Sequence, residues 1–327
     1  MKCINRLLAL ILIIVVSFSL VACGQSDDSS VATYDLYETS YSYGITNNGS
    51  DSDVEFFAQD LCIQGTDDIG TADVDSQVAG AAGAFNTTTQ TVTYAQNIHE
   101  KMYPASTTKI LTAYVACLYG NLDDTYTVSA NALDIDKDSS VCGLKEGDVI
   151  TLRDLLYGLL LRSGNDAANV IAEGVSGDID SFVSLMNSTA QSVGATNSHF
   201  VNANGLHDED HYTTVYDMYL ILNTAITNSD FYSVFTSTSY TANYTSGGGA
   251  KTVEWKTTNQ YISGNITTPS GFSILGGKTG TTGAAGYCLV LLSENSNHDK
   301  IISIVDNADC KHNLYLLMNE ILNNYCS

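Results

Sequence analysis

The apolar period of this chain switches from two residues to about 3.6 and back again, which constrains its fold more than any other feature. Val54 to Ile63, Gln77 to Phe85 and Thr91 to Tyr94 read as strands, with a turn over Asn86 to Gln90. After Gly271 the short period returns in Phe272 to Leu275, Tyr287 to Leu292 and Ile301 to Val305. Between them the pattern is helical. Pro104 opens a helix that runs to Tyr119 and stops at Gly120, since proline suits the first helical position and glycine the exit. Thr151 starts the next, with Asp154 three residues on as an approximate capping box. Asp166 to Glu173, Ile179 to Val193 (closed by Gly194) and Val215 to Ile226 continue the helical run. A last helix carries Leu314, Leu317, Met318, Ile321, Leu322 and Tyr325 on one stripe, which suits packing on a sheet. Its one basic residue, Lys311, is too little for a membrane-surface helix. Strands at both ends around a helical middle predict an α+β fold: an antiparallel sheet flanked by helices, with an inserted helical lobe. The 327 residues, 44% of them hydrophobic, give core enough for one large domain or two smaller ones.

The N-terminus reads as an address. Lys2 and Arg6 precede the unbroken apolar run Leu7 to Val16, and Leu20-Val21-Ala22-Cys23 follows. A basic start, an apolar stretch and a small-residue site describe an export signal over residues 1–22. The quartet resembles the lipobox of bacterial lipoproteins, which implies that Cys23 receives lipid and tethers the chain to the membrane. The alternative is an uncleaved signal anchor, because Leu7 to Gly24 is uncharged and nearly long enough to span a bilayer. Either reading places the remainder outside the cytoplasm. Residues 23–53 are polar, acidic and aperiodic, and read as a flexible spacer. The structured domain is expected over 54–327.

Thirteen Lys and Arg face 36 Asp and Glu, a formal net charge of -23, which excludes nucleic acid as a partner because phosphate binding needs a basic footprint. Loss of residues 1–22 removes two cations and no anion, giving 11 − 36 = −25. Six cysteines then remain besides Cys23: Cys62, Cys117, Cys142, Cys288, Cys310 and Cys326. None shows metal-ligand spacing, so neither a metal nor a cofactor is implied. Export permits disulfides, but no pairing can be chosen, and Cys117 and Cys288 sit in apolar runs that suit buried free thiols.

Three short elements carry chemistry. Ser106-Thr107-Thr108-Lys109 places a hydroxyl and an amine three residues apart, on one face of a helix start. A serine is a poor nucleophile until a neighbouring base takes its proton, and lysine serves as that base only when burial and other cations lower its pKa. Ser163-Gly164-Asn165 lies between two helices, and Lys278-Thr279-Gly280 lies on a strand after Gly276-Gly277. There a cation and a hydroxyl can grip a carboxylate, while glycine lets the strand edge approach a ligand. Alone, each is as easily a surface helix, a turn or an edge strand. Their order and setting make the set specific.

This set resembles the serine-type D-alanyl-D-alanine carboxypeptidases, low-molecular-mass penicillin-binding proteins of the β-lactamase-like superfamily. Tyr103 to Lys109, Ser163 to Ala168, His199 to Thr214 and Gly277 to Thr282 extend the likeness, which runs from about Val74 to the C-terminus. The resemblance implies removal of the terminal D-alanine from peptidoglycan stem peptides, with β-lactams as covalent inhibitors. It makes Ser106 the nucleophile, Lys109 the general base and Ser163 a proton relay, with Asn165 positioning the peptide. It gives Lys278 and Thr279 the terminal carboxylate, brings Gly280 close to the ligand, and forms the oxyanion hole from the amides of Ser106 and Thr281. Asp166, His199 and His211 are expected to be structural. Many members of the family carry a β-rich C-terminal domain and an anchoring helix, for which about 45 residues after Gly280 leave no room; the acidic spacer also has no counterpart.

A class A β-lactamase shares the acylation apparatus, but it carries a Glu-x-x-Leu-Asn stretch that none of Glu173, Glu209 and Glu254 provides. A non-catalytic wall-binding lipoprotein is the reading from another class, and the three intact elements argue against it. For the address, Cys23→Ala should block lipidation and change release from the membrane. Unchanged hydrophobic partitioning, with residues 1–22 retained in the mature protein, would indicate a signal anchor instead.

Overall fold

The structure is a computed structural model that describes Ala58 and residues 60–327. The export signal, Cys23, the spacer and the start of the first expected strand (54–57) lie outside the described residues. Residues 60–63 are turn and coil rather than strand. The segment is held by Cys62, whose amide donates to Tyr219 Oη (2.8 Å) and whose thiol donates to Asn86 O (3.3 Å), so its apolar residues are anchored without a ladder.

Strands β1 (Ala81–Asn86) and β2 (Thr91–Gln96) form the first hairpin, and β7 (Ser273–Thr282), β8 (Gly286–Glu294) and β9 (Lys300–Ala308) follow late in the chain. They join in one antiparallel sheet of order β2-β1-β9-β8-β7. The second expected strand, Gln77 to Phe85, therefore starts later, at Ala81. Ser76–Val78 is a 3-10 turn, and the Gln96 amide ties Ser76 O and Ala79 O (2.8 and 3.1 Å) ahead of β1.

Both faces of the sheet are covered. Val290, Leu292, Ile302 and Ile304 point into one core, and Leu289, Leu291, Ile301 and Val305 into the other. The period of two thus serves two buried faces, and the late strands read as nearly unbroken apolar runs. The C-terminal helix α7 (Lys311–Tyr325) closes the second core with Leu314, Leu317, Met318, Ile321 and Leu322. The first core is shared with α1 (Lys109–Tyr119), α2 (Leu152–Leu161), α3 (Asn165–Ser176), α4 (Ile179–Ser192), α5 (Val215–Ala225) and α6 (Ser229–Phe235).

The α+β layering agrees with the expectation, with one addition. The inserted lobe also carries a four-stranded sheet of order β3-β4-β5-β6, built from β3 (Thr125–Thr127), β4 (Val149–Thr151), β5 (Ser239–Ser246) and β6 (Gly249–Lys256). Gly247 and Gly248 both take positive φ (58° and 80°), the requirement of a tight two-residue hairpin turn. Burial in β5 alternates residue by residue, but its exposed positions are Ser, Thr and Asn and its inward ones include Ser246 and the two tyrosines, so hydrophobicity alone does not declare the strand. All six described cysteines are free thiols. No helix among the described residues is long and apolar enough to cross a membrane.

Helix α2 presents the middle catalytic element, so its start matters. Thr151 Oγ1 accepts from Asp154 N (3.0 Å) and donates to the Asp154 carboxylate (2.8 Å). Thr151→Ala should cost about 1 kcal/mol. Urea unfolding should show this as a lower midpoint at unchanged slope, and an unchanged midpoint would mean that the cap contributes nothing.

Candidate active site

Three elements meet at one edge of the five-stranded sheet. The first is a 3-10 turn, Ala105–Thr108, that runs directly into α1. The expected helix from Pro104 is thus tighter in its first turn. This places Ser106 at the mouth of a cleft of about 220 Å³ that Asn165 and Thr281 also line. Ala105 holds φ +48°, a conformation that non-glycine residues rarely adopt. The second element is the Ser163-Gly164-Asn165 turn joining α2 to α3, with Ser163 at φ +59°. Such outliers persist only where surrounding structure over-determines them, and they concentrate at functional sites. The third is β7, an edge strand that carries Lys278 to Thr281.

Gly280 explains how the strand comes so close. A Cβ there would lie 2.9 Å from Pro104 O and 3.0 Å from Ser106 N, so any side chain would push the strand off the nucleophile turn. Gly205 does the same from the other side, with φ +82° and a Cβ position 1.9 Å from Ala105 O.

Lys109 is fully buried. Its Nζ lies 2.9 Å from Ser106 Oγ and 2.7 Å from Asn165 Oδ1, and it also reaches Asn204 O. The two carbonyl oxygens can only accept. An ammonium would donate to all three oxygens, whereas a neutral amine keeps two N–H groups for the carbonyls and a lone pair for the Ser106 hydroxyl, so one set of contacts serves both states of a proton carrier. Burial holds the Lys109 amine well below the usual lysine range, the Lys278 charge adds to this, and Cys142 and Asp166 oppose it. Lys278 is also buried, and burial brings it down to about 7. Its Nζ donates to Ser163 Oγ (3.0 Å) and Thr279 O (2.6 Å). A chain of polar groups thus runs from Lys109 to Asn165 and, across the turn, from Ser163 to Lys278.

Asp166 accepts from the amides of Cys142 (2.8 Å), Gly143 (2.9 Å) and Leu144 (3.1 Å), which pins the loop whose residues Asp136, Asp138, Ser139 and Ser140 form the opposite cleft wall. His199 bonds Asp210 O (2.7 Å) at the surface. Glu173 is engaged by Ser129 and Asn131 (2.6 and 2.7 Å), and no glutamate lines the cleft among the described residues. No group of three metal-ligating side chains is present among them either.

With this geometry, comparison with known proteins is decisive. The family model for D-alanyl-D-alanine carboxypeptidases, peptidase family S11, matches residues 69–310. The chain belongs to that family. It is 34% identical to the D-alanyl-D-alanine carboxypeptidase of Streptomyces sp. strain K15 over 233 residues, 67% of this chain and 78% of the relative. It is 33% identical to DacC of Escherichia coli K12 over 219 residues, 64% of this chain but 51% of that longer relative. The crystal structure of the Streptomyces K15 DD-transpeptidase superposes with a TM-score of 0.69 at 31% identity, covering 75% of this chain and 96% of that one. A Mycobacterium tuberculosis D-alanyl-D-alanine carboxypeptidase gives 0.66 at 25% identity, covering 75% and 89%.

Within this family site, the sequence motifs place Ser106, Lys109, Ser163, Asn165, Lys278, Thr279, Gly280 and Thr281 in one neighbourhood. Motif reading alone gives no site role to three contributors, of which His211 was expected to be structural. Asn204 supplies a carbonyl to Lys109, and its amide donates to Asn169 Oδ1 (3.1 Å) on α3. His211 bonds Thr108 inside the nucleophile turn (2.8 Å). Exposed Lys311 lines a second cavity, of about 120 Å³, together with Thr279, Gly280 and Thr281. The signal that could have found Lys311 is its place: a lone cation in the first turn of a helix opposes the macrodipole, so helix stability does not explain it.

The two lysines predict a bell-shaped pH profile. The free enzyme needs Lys109 unprotonated, so kcat/KM should rise with pH through the depressed Lys109 pKa. It should fall again above about 7 as Lys278 loses its proton. A profile still climbing toward pH 10 would mean that both behave as ordinary lysines.

Proposed function

We propose that the protein is an extracytoplasmic serine D,D-carboxypeptidase that removes the terminal D-alanine from peptidoglycan stem peptides through a Ser106 acyl-enzyme. The observation that carries this reading is the fully buried Lys109 amine, 2.9 Å from Ser106 Oγ, bonded to Asn165 Oδ1 and Asn204 O, and held by burial well below the usual lysine range.

In the acylation step Lys109 takes the Ser106 proton as Oγ bonds to the carbonyl carbon of the penultimate D-alanine. The amides of Ser106 and Thr281 receive the developing oxyanion. The C–N bond then breaks, and the leaving D-alanine nitrogen gains a proton through Ser163, which Lys278 holds in place. Asn165 orients both the peptide and the Lys109 amine. Water hydrolyses the resulting ester. A β-lactam enters by the same attack, but its opened ring remains attached. No glutamate lines the cleft among the described residues, and no Glu-x-x-Leu-Asn stretch occurs between Asn165 and Lys278, which supports a persistent adduct over rapid turnover.

The substrate's free carboxylate must approach a protein of formal net charge -23, so local cations have to override the overall field. Lys278 is buried and already donates twice, which leaves its third N–H for the ligand. Thr279 adds a hydroxyl, and Lys311 adds an exposed cation beside the same strand. The tether to the membrane is proposed to be lipid on Cys23, which would supply the anchor at the N-terminal end.

The test is Ser106→Ala. It should abolish both covalent labelling by a reporter penicillin and release of D-alanine from a peptide ending in D-Ala-D-Ala. The loss should be several orders of magnitude, as for removal of other activated serines, with an unchanged circular-dichroism spectrum. Labelling that persists at another serine, or wild-type protein that forms no adduct, would overturn the assignment.

A further inference from the structure

The Ser106 turn is braced by a hydrogen-bond relay that starts outside the three motifs. His211 is 2% exposed and lies on the segment that also supplies Asn204 and Gly205. Val201 N, which can only donate, lies 3.1 Å from His211 Nδ1. Nδ1 is therefore the acceptor, and the ring proton sits on Nε2. Nε2 in turn lies 2.8 Å from Thr108 Oγ1 and donates to it. The Thr108 hydroxyl then has its own proton free for Ala105 O, 2.8 Å away. Every polar atom in the series has one consistent role. The relay ends on the carbonyl of the residue that precedes the nucleophile and carries the φ of +48°.

We infer that His211 is a positioning residue: through Thr108 it holds the strained Ala105 peptide in the conformation that aims Ser106 at Lys109. This rests on the reading of Ser106 as the acylated nucleophile. Buried Gly205 packs closely on the same carbonyl, so packing as well as hydrogen bonding holds the turn. Thr107, whose hydroxyl bonds Pro104 O (2.7 Å), braces the turn one residue earlier without reaching the histidine.

The experiment measures acylation of wild type, His211→Gln, His211→Asn, Thr108→Val and the His211→Asn/Thr108→Val pair by a fluorescent penicillin, resolving the first-order acylation constant from the binding constant. Glutamine places an amide N–H near the Nε2 position and keeps the relay, whereas asparagine reaches only the Nδ1 position. The inference predicts that His211→Gln acylates within roughly threefold of wild type. His211→Asn and Thr108→Val should each lose on the order of a hundredfold in the first-order constant, the scale expected when a reacting atom is misplaced, with binding unchanged. The double variant should be no slower than the slower single, because both changes cut one relay. Thr108→Val is nearly isosteric and keeps the comparison available should His211→Asn not fold. Multiplying losses, or wild-type rates in both single variants, would overturn the inference while leaving Ser106 in place. Wild-type protein that fails to label would overturn both.

Discussion

Everything in this site depends on keeping one lysine amine dry. Lys109 is sealed between α1, the turn before α3 and the Asn204 segment, where burial disfavours its charged form and Ser106 Oγ lies within hydrogen-bond reach. Water in that space would restore the ordinary lysine pKa and remove the base. Nearby Lys278 helps twice, since its charge disfavours a proton on Lys109 and its amine holds Ser163.

That arrangement is costly to the fold. Bringing Lys278 from 10.5 to about 7 corresponds to a burial penalty on the order of 5 kcal/mol. The folded pKa is the lower one, so the penalty is absent above pH 10.5 and develops fully as pH falls toward 7. The surrounding scaffold has to offset it. The sheet does so by burying both faces, with α7 on one side and the helical lobe on the other, and by closing strands from the two ends of the chain. At the edge strand β7, Gly280 allows the ladder to lie against the nucleophile turn. The edge that would otherwise invite unwanted pairing is the place where an extended peptide substrate can lie.

Much of this was legible in the sequence because the responsible signals are local. The helix starts at Thr151 and Val215 and the stops at Gly120 and Gly194 follow from capping chemistry, and the motifs lie on the elements their spacing implied. The small second sheet was not legible, since β5 is rich in Ser, Thr and Asn and β6 carries Lys, Thr and Glu among few apolar residues; the Gly247-Gly248 pair was the usable clue. The extent of β7 was underestimated because Gly276, Gly277 and Gly280 weaken a strand pattern in order to admit close contacts. Asn204 acts through its backbone carbonyl, which no side-chain motif can announce. His211 acts at one remove through Thr108, and its sequence separation from that residue hides the contact.

The most direct test of the account is the protonation state of Lys109 itself. Side-chain carbon and nitrogen NMR of protein labelled at lysine, with Lys109→Arg to assign the resonance, reports the charge on each amine as pH is changed. The account predicts that Lys109 loses its proton well below the ordinary lysine range. An ammonium signal for Lys109 persisting to pH 10 would contradict it, because no unprotonated base would then stand beside Ser106.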